Sequence, residues 1–199
     1  MGLKRFLNKG ILEAGCDEAG RGCLAGPVVA AAVILNPKVR IPGLDDSKKL
    51  TEARRQVLRP IIEEKALAWG VGVVSHTEID DINILQASFL AMHRAVDQLQ
   101  VVPDHLLIDG NRFRPYPNIA ETCVVKGDSK FQSIAAASIL AKTVRDEIME
   151  NLHLEFPAYA WDKNKGYPTV AHRSAIQTHG ASSYHRMTFR LLSTQTTLF

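Results

Sequence analysis

Apolar positions along the chain fall into two kinds of segment, short continuous runs and longer stretches with a helical period. Runs at residues 11–16, 27–35, 67–75, 105–108 and 121–126 are bounded by Gly, Pro, Asn, Asp or charged residues and predict five strands. Gly70 and Gly72 inside the third run predict close packing against a neighbour. Between the runs the period changes. Residues 52–66 place Val57, Leu58, Ile61 and Ile62 on one side, behind Thr51 as a cap, while Pro60 predicts a kink or a division. Residues 77–81 are polar and helix-initiating, and 84–99 set Leu85, Phe89, Met92, Val96 and Leu99 on one face. The strongest helix follows residue 129, with Ile134, Ala137, Ala141, Val144, Ile148 and Leu152 in period. Its small residues 135–138 would let it lie close against a sheet. Residues from Phe156 read as irregular up to a short helix at 170–178. The pattern is that of an α/β chain.

At 199 residues and 46% hydrophobic, the chain fits one domain, over residues 1–192, followed by a flexible tail at 193–199. No apolar run is long enough to span a bilayer, and residues 1–10 lack the apolar core of a signal peptide, so a soluble, cytoplasmic protein with no membrane partner is expected. Three cysteines, Cys16, Cys23 and Cys123, are odd in number and lack metal-ligand spacing, which predicts reduced and mostly buried thiols. The net charge of +3 becomes informative only when divided along the chain. Past Asp162 there is no acidic residue, whereas Lys163, Lys165, Arg173, Arg186 and Arg190 are joined by His172, His179 and His185. Such a basic segment favours a polyanionic partner such as nucleic acid.

Candidate chemistry gathers at the ends of the predicted strands. The first run leads into Asp17-Glu18-Ala19-Gly20-Arg21-Gly22, where two carboxylates meet two glycines. Strand side chains alternate between faces, so Asp17 and Glu18 share a target only if the strand ends there and the backbone turns. Gly20 and Gly22 permit that turn and let backbone N–H groups approach a ligand. Asp109 closes the fourth run as a ligand-side carboxylate or as half of an Asp-Gly turn. Asp128 precedes the strongest helix as a cap or as a further ligand. Lys48 reads as a phosphate contact or a solvated loop residue, and Tyr167, in a Gly-Pro loop, as a stacking group or a brace of that loop. Asp146 and Glu147 read as partners of Lys142 or Arg145. Asp17, Glu18, Asp109 and Asp128 around one point would repel unless hard divalent cations neutralised them, and two such ions suit in-line phosphoryl displacement.

These segments, with Asp46-Ser47-Lys48-Lys49-Leu50, Ile108-Asp109-Gly110, Lys126-Gly127-Asp128, the alanine-rich helix and Gly166-Tyr167-Pro168-Thr169, resemble in order and combination the ribonuclease HII family. The resemblance spans about residues 10–192. It implies a ribonuclease H-like fold, a central mixed five-stranded sheet with its first three strands antiparallel, flanked by helices, and a helical basic C-terminal segment. It also implies an endonuclease that cleaves 5′ of ribonucleotides in RNA/DNA hybrids, or of single ribonucleotides in duplex DNA, acting as a monomer in ribonucleotide removal and primer processing. The four acids would hold Mg²⁺ or Mn²⁺, Gly20, Arg21 and Gly22 would sense the ribose 2′-hydroxyl through their backbone, Tyr167 would contact the adjoining sugar, and Lys48 a phosphate. Ribonuclease HIII differs at the opening motif and carries an additional N-terminal domain. The other readings are an inactive nucleic-acid-binding member of the fold and another carboxylate-dependent nuclease.

The sequence finishes on Gln195-Thr196-Thr197-Leu198-Phe199. A glutamine followed by a terminal apolar pair resembles the short peptides that dock bacterial replication and repair proteins onto the sliding clamp. The bland reading is that the pair folds back on the protein itself.

Overall fold

A computed structural model describes residues 2–192, so Gln195, Leu198 and Phe199 lie outside the described residues. Among the described residues five strands and five helices follow in the order β1 (Glu13–Ala19), β2 (Val28–Leu35), α1 (Glu52–Lys65), β3 (Ala66–Val74), α2 (His76–Asp97), β4 (His105–Asp109), β5 (Ala120–Val124), α3 (Gln132–Glu155), α4 (Trp161–Asn164) and α5 (Val170–His179). The sheet order is β3-β2-β1-β4-β5. β1 pairs antiparallel with β2, β2 antiparallel with β3, and β1-β4 and β4-β5 are parallel, which is the mixed arrangement expected.

Strand alternation divides the core in two. Ala14, Cys16, Ala30 and Ala32 face α2, while Ala31 and Val33 face Leu58 and Ile62 of α1 and Ala137 and Leu140 of α3. Small residues set the depth of packing. A Cβ on Gly15 would lie 2.3 Å from the Ile134 amide nitrogen, so α3 crosses directly over β1; one on Gly72 would lie 2.0 Å from the Ala91 carbonyl of α2, the close approach that the glycines of the third run predict.

Four expectations need correction. β1 runs on to Ala19, so Asp17 and Glu18 lie inside the strand and not beyond its end. α1 passes through Pro60 undivided, because the carbonyl that Pro60 leaves without a donor belongs to Gln56, on the exposed face. The region after Phe156 is not all irregular: a 3-10 turn (Pro157–Tyr159) and α4 pack Tyr159 and Trp161 onto Met149 and Leu152 of α3. The basic segment also turns inward. Lys165, His172, His185 and Arg186 are buried, and Lys165 pairs with Glu150 at 2.6 Å, so much of that charge is interior framework.

Elsewhere the reading holds in finer form. The two predicted parts of α2 are separated at Asn83, at φ 66°, whose side chain accepts from the Leu85 and Gln86 amides and caps the second part. Asp146 pairs with Lys142 as read and, buried, also lies 3.6 Å from Arg55, whereas Glu147 departs from the reading: its partner is Arg59 of α1, not Lys142 or Arg145. Cys16 and Cys23 are buried free thiols, and Cys123 is half-buried and free. No helix among the described residues is long and apolar enough to cross a membrane.

Candidate metal centre and ribose-side loop

The parallel pair β1-β4 brings Cys16 beside Ile108, and the next residue of each strand is an aspartate. Asp17 and Asp109 therefore leave the sheet side by side. Asp128 reaches the same point from the 3-10 turn Gly127–Ser129, where Lys126 takes a left-handed φ of 55° and the Gly127 amide donates to Asp109 at 2.6 Å. One carboxylate oxygen from each of Asp17, Asp109 and Asp128 lies within 4.8 Å of the others. The cap reading of Asp128 falls away, since the residue that caps α3 is Phe131, with no side-chain hydrogen bond.

Glu18 stands apart from this trio. Alternation in β1 turns it to the α2 side, beside Leu85, Phe89, Asn111 and Arg112, where it accepts from Arg21 at 3.1 Å. Lys48 contacts Asp128 at 3.1 Å, and its ammonium occupies the place of the positive charge the acids need.

The electrostatics favour a cation among these carboxylates. Asp17, 4% exposed, has its carboxyl pushed well above the usual range by burial, then by the neighbouring charges of Glu18 and Asp109. Burial likewise raises Asp109 and Glu18, against the opposing Gly127 amide in one case and Arg21 in the other. All the donor atoms here are carboxylate oxygens, which fits a hard divalent ion and excludes a thiolate- or imidazole-bound one.

Against the trio lies the turn after β1. Gly20 has φ +99°, and a Cβ there would meet the Arg145 guanidinium at 2.0 Å. Two buried arginines, which sequence reasoning left as surface charge or as an ion-pair partner, hold this turn. Arg186 donates to the carbonyls of Gly20 (2.8 Å), Arg21 (3.0 Å), Gly26 (3.0 Å) and Pro27 (3.1 Å). Arg145 donates to Ala25 (3.2 Å), Pro27 (3.0 Å) and Lys165 (2.8 Å). The Gly20 and Arg21 carbonyls thus point inward. Among the described residues the Arg21 and Gly22 amides have no acceptor, so the turn offers donors to a ligand.

Tyr167 completes the opposite wall. Its loop is tied to the turn by the Leu24 amide on the Gly166 carbonyl at 2.8 Å, and its ring, partly exposed, lies 5.9 Å from Lys142 and 5.8 Å from Arg145. Asp17, Glu18, Gly20, Arg21, Gly22, Lys48, Asp109 and Tyr167 line one cavity of about 230 Å³. Ser47, Ser138 and Lys142 line it as well. Ser138 hydrogen-bonds Asp17 and, at 2.8 Å, Ser47; the only signal for these in the sequence is their place beside the Lys48 and alanine-rich segments.

The comparisons with known proteins agree with this geometry. The family profile of ribonuclease HII matches residues 14–192. The chain is 67% identical over 190 residues to ribonuclease HII of Bacteroides thetaiotaomicron, covering 96% of this chain and 95% of that one. It is 65% identical over 196 residues to that of Parabacteroides distasonis, covering 98% of each. Among solved structures it is similar to the Archaeoglobus fulgidus ribonuclease HII of a PCNA complex, with TM-score 0.76, 28% identity and coverage of 94% and 98%. Ribonuclease H2 of Pyrococcus horikoshii follows at TM-score 0.74, 26% identity, 90% and 94%. With the mixed sheet, the acid trio and the matched profile in agreement, this chain belongs to the ribonuclease HII family, endonucleases that act on RNA phosphodiester bonds.

Proposed function

We propose that the protein hydrolyses the phosphodiester bond 5′ of ribonucleotides in RNA/DNA hybrids, and of single ribonucleotides within duplex DNA, using Mg²⁺ or Mn²⁺. The observation that carries this reading is that Asp17 and Asp109 share one cavity with the donor-presenting turn, with an Asp128 oxygen within 4.8 Å of both. Asp17, Asp109 and Asp128 would hold the ions, and Glu18, now paired with Arg21, would join them. When bound, a pair of divalent ions activates water and neutralises charge on the phosphate. The chain's own residues set the position of the cleaved bond. Amides of Arg21 and Gly22 reach the 2′-oxygen, which DNA lacks, and glycine leaves room for the sugar to approach them. Tyr167 packs on the adjoining sugar, and Lys48, released from Asp128, takes a phosphate oxygen.

A duplex with one embedded ribonucleotide tests this. The expected product is a nick on its 5′ side, leaving 3′-hydroxyl and 5′-phosphate ends, dependent on added Mg²⁺ or Mn²⁺. Equal cleavage of all-DNA duplex, or full activity in excess chelator, defeats the reading. Asp128→Asn separates ligand from framework. Because Asp128 caps no helix, the variant should melt near the parent temperature and lose about 10²-fold or more in turnover. A near-normal rate at saturating metal would return Asp128 to the framework.

The same reading makes the protein a cytoplasmic monomer with one domain at residues 1–192, serving ribonucleotide removal and primer processing. The archaeal relative solved with PCNA supports a sliding-clamp partner, for which Gln195, Leu198 and Phe199 are the candidate contacts.

A further inference from the structure

Beneath the Tyr167 loop lies a buried block of rings with no place in the chemistry above. His172 and His185 are 0% and 1% exposed, and Trp161 and Tyr159 pack against both. Their hydrogen bonds run in one direction only. Indole nitrogen is a donor and never an acceptor, so Trp161 Nε1, 3.0 Å from His172 Nε2, requires that nitrogen to be unprotonated. The proton of a neutral His172 then sits on Nδ1, which donates to the Tyr167 carbonyl at 2.9 Å. His185 Nδ1 accepts from the Ser182 amide at 2.9 Å, which leaves its proton on Nε2, directed at His172 Nε2 at 3.1 Å. Both rings are locked neutral. A second proton on His172 would set three donors against one another.

We propose that His172, with its tautomer fixed by Trp161 and His185, is a positioning residue that holds the Tyr167 backbone and so aims its ring at the sugar. The proposal rests on Tyr167 being the sugar contact. Among the described residues two other bonds fix this backbone, Tyr167 N–H to the Asn164 carbonyl at 2.9 Å and Thr169 N–H to the Tyr167 carbonyl at 2.8 Å. Burial lowers the pKa of His172, opposed by the Tyr167 and Gly166 carbonyls and assisted by Arg173. Burial, then the charge of His172, pushes His185 down to about 4, with the Ser182 backbone opposing and His76 assisting. Tyr159 presents only its ring to the pair. Among the described residues no carboxylate acts on either imidazole, so the block stays neutral through the physiological range and loosens only in acid.

The test uses the full chain with ¹³C-labelled tyrosine rings and two substrates, a single embedded ribonucleotide and a continuous hybrid. His172→Asn keeps a donor near the Nδ1 position, whereas His172→Leu removes it. In His172→Leu the Tyr167 ring signal should move, and the kcat/KM preference for the single ribonucleotide should change about tenfold, in the same direction as in Tyr167→Ala. His172→Asn should restore both. An unmoved signal with an unchanged preference in His172→Leu overturns the proposal. Should that variant not fold, Trp161→Phe decides. It keeps the packing but removes one of the two donors that oppose a proton on His172 Nε2, leaving only His185, so the Tyr167 signal should titrate at higher pH than in the parent, and an unaltered midpoint overturns the proposal. Tyr167→Ala with unchanged preference refutes the sugar contact alone, because the ring signal still reports whether His172 holds the loop.

Discussion

Asp17→Asn is expected to remove most of the activity and, in the metal-free protein, to raise the melting temperature. Asp17 is nearly inaccessible and lies between Glu18 and Asp109, so ionising it costs desolvation and adds repulsion, which the Ser138 and Glu18 hydrogen bonds only partly offset. Its folded pKa lies above the unfolded value near 3.8. A carboxyl raised in this way gives stability that is fully present below the unfolded pKa and is lost as pH rises through the folded one. Asp109 and Glu18 shift in the same direction. Metal-free protein should therefore melt at lower temperature as pH climbs from about 4 toward neutrality, and Mg²⁺ or Mn²⁺ should reverse the loss by binding the charged form. Glu78 works oppositely: Arg94 leads in holding it down at about 2, so its contribution persists above the ordinary range of 4.5 and fades only as pH falls toward 2. Asn at position 17 keeps an oxygen for the Glu18 amide and removes the charge. Turnover should drop by about 10²–10³-fold, while the pH slope of the metal-free melting curve flattens. A variant that melts lower than the parent, or keeps the parent's slope, would show that repulsion at Asp17 does not destabilise the metal-free protein.

The same strand shows what the sequence could and could not reveal. That Asp17, Asp109 and Asp128 converge was legible, because each follows an apolar run whose end is marked by glycine or by a change of period. That Glu18 diverges depended on where β1 ends, and three extra residues of strand reverse the geometry of the pair. Those residues are held by pairing with Val29, Ala30 and Ala31 of β2, a contact between distant segments that leaves no local mark. Charge misled in the same way. A guanidinium in a stretch without acids reads as a nucleic-acid contact, yet Arg186 satisfies four carbonyls of a segment about 160 residues earlier. Backbone carbonyls carry no side-chain signature, so no spacing rule finds such a partner. The cap reading of Asp128 failed through a short-range cause, the 3-10 turn that delays α3 to Gln132.

Arg186→Lys is expected to give a folded protein that loses its hold on the ribose-side turn. The guanidinium is fully buried, with its pKa pushed down to about 10 chiefly by burial, and it is kept in place by a fork of donors that matches four carbonyls at once. Lysine brings the charge but gathers its three donors at one point, so it cannot span from Gly20 to Pro27. At least two carbonyls then lose their partner, each costing about 1–3 kcal/mol if no water replaces it, and urea midpoints should fall accordingly. Arg186→Leu removes all four bonds, leaving the Arg21 and Gly26 carbonyls without a donor while Gly20 keeps the Cys23 amide and Pro27 keeps Arg145, and should fold poorly, if at all. The functional consequence is more specific than the loss of stability. With Arg186 in place the Gly20 and Arg21 carbonyls face inward and the Arg21 and Gly22 amides face the cavity; without the fork the peptide planes are free to rotate, presenting an acceptor where a donor stood. The acid trio makes no contact with Arg186, so metal binding should survive, measured as the rise in melting temperature on adding Mn²⁺. Cleavage at a single ribonucleotide should fall by about tenfold or more, the equivalent of one good hydrogen bond to the 2′-oxygen. A lysine variant that binds Mn²⁺ and nicks at the parent's rate would mean that the turn keeps its shape through Arg145 and the Gly166 carbonyl alone.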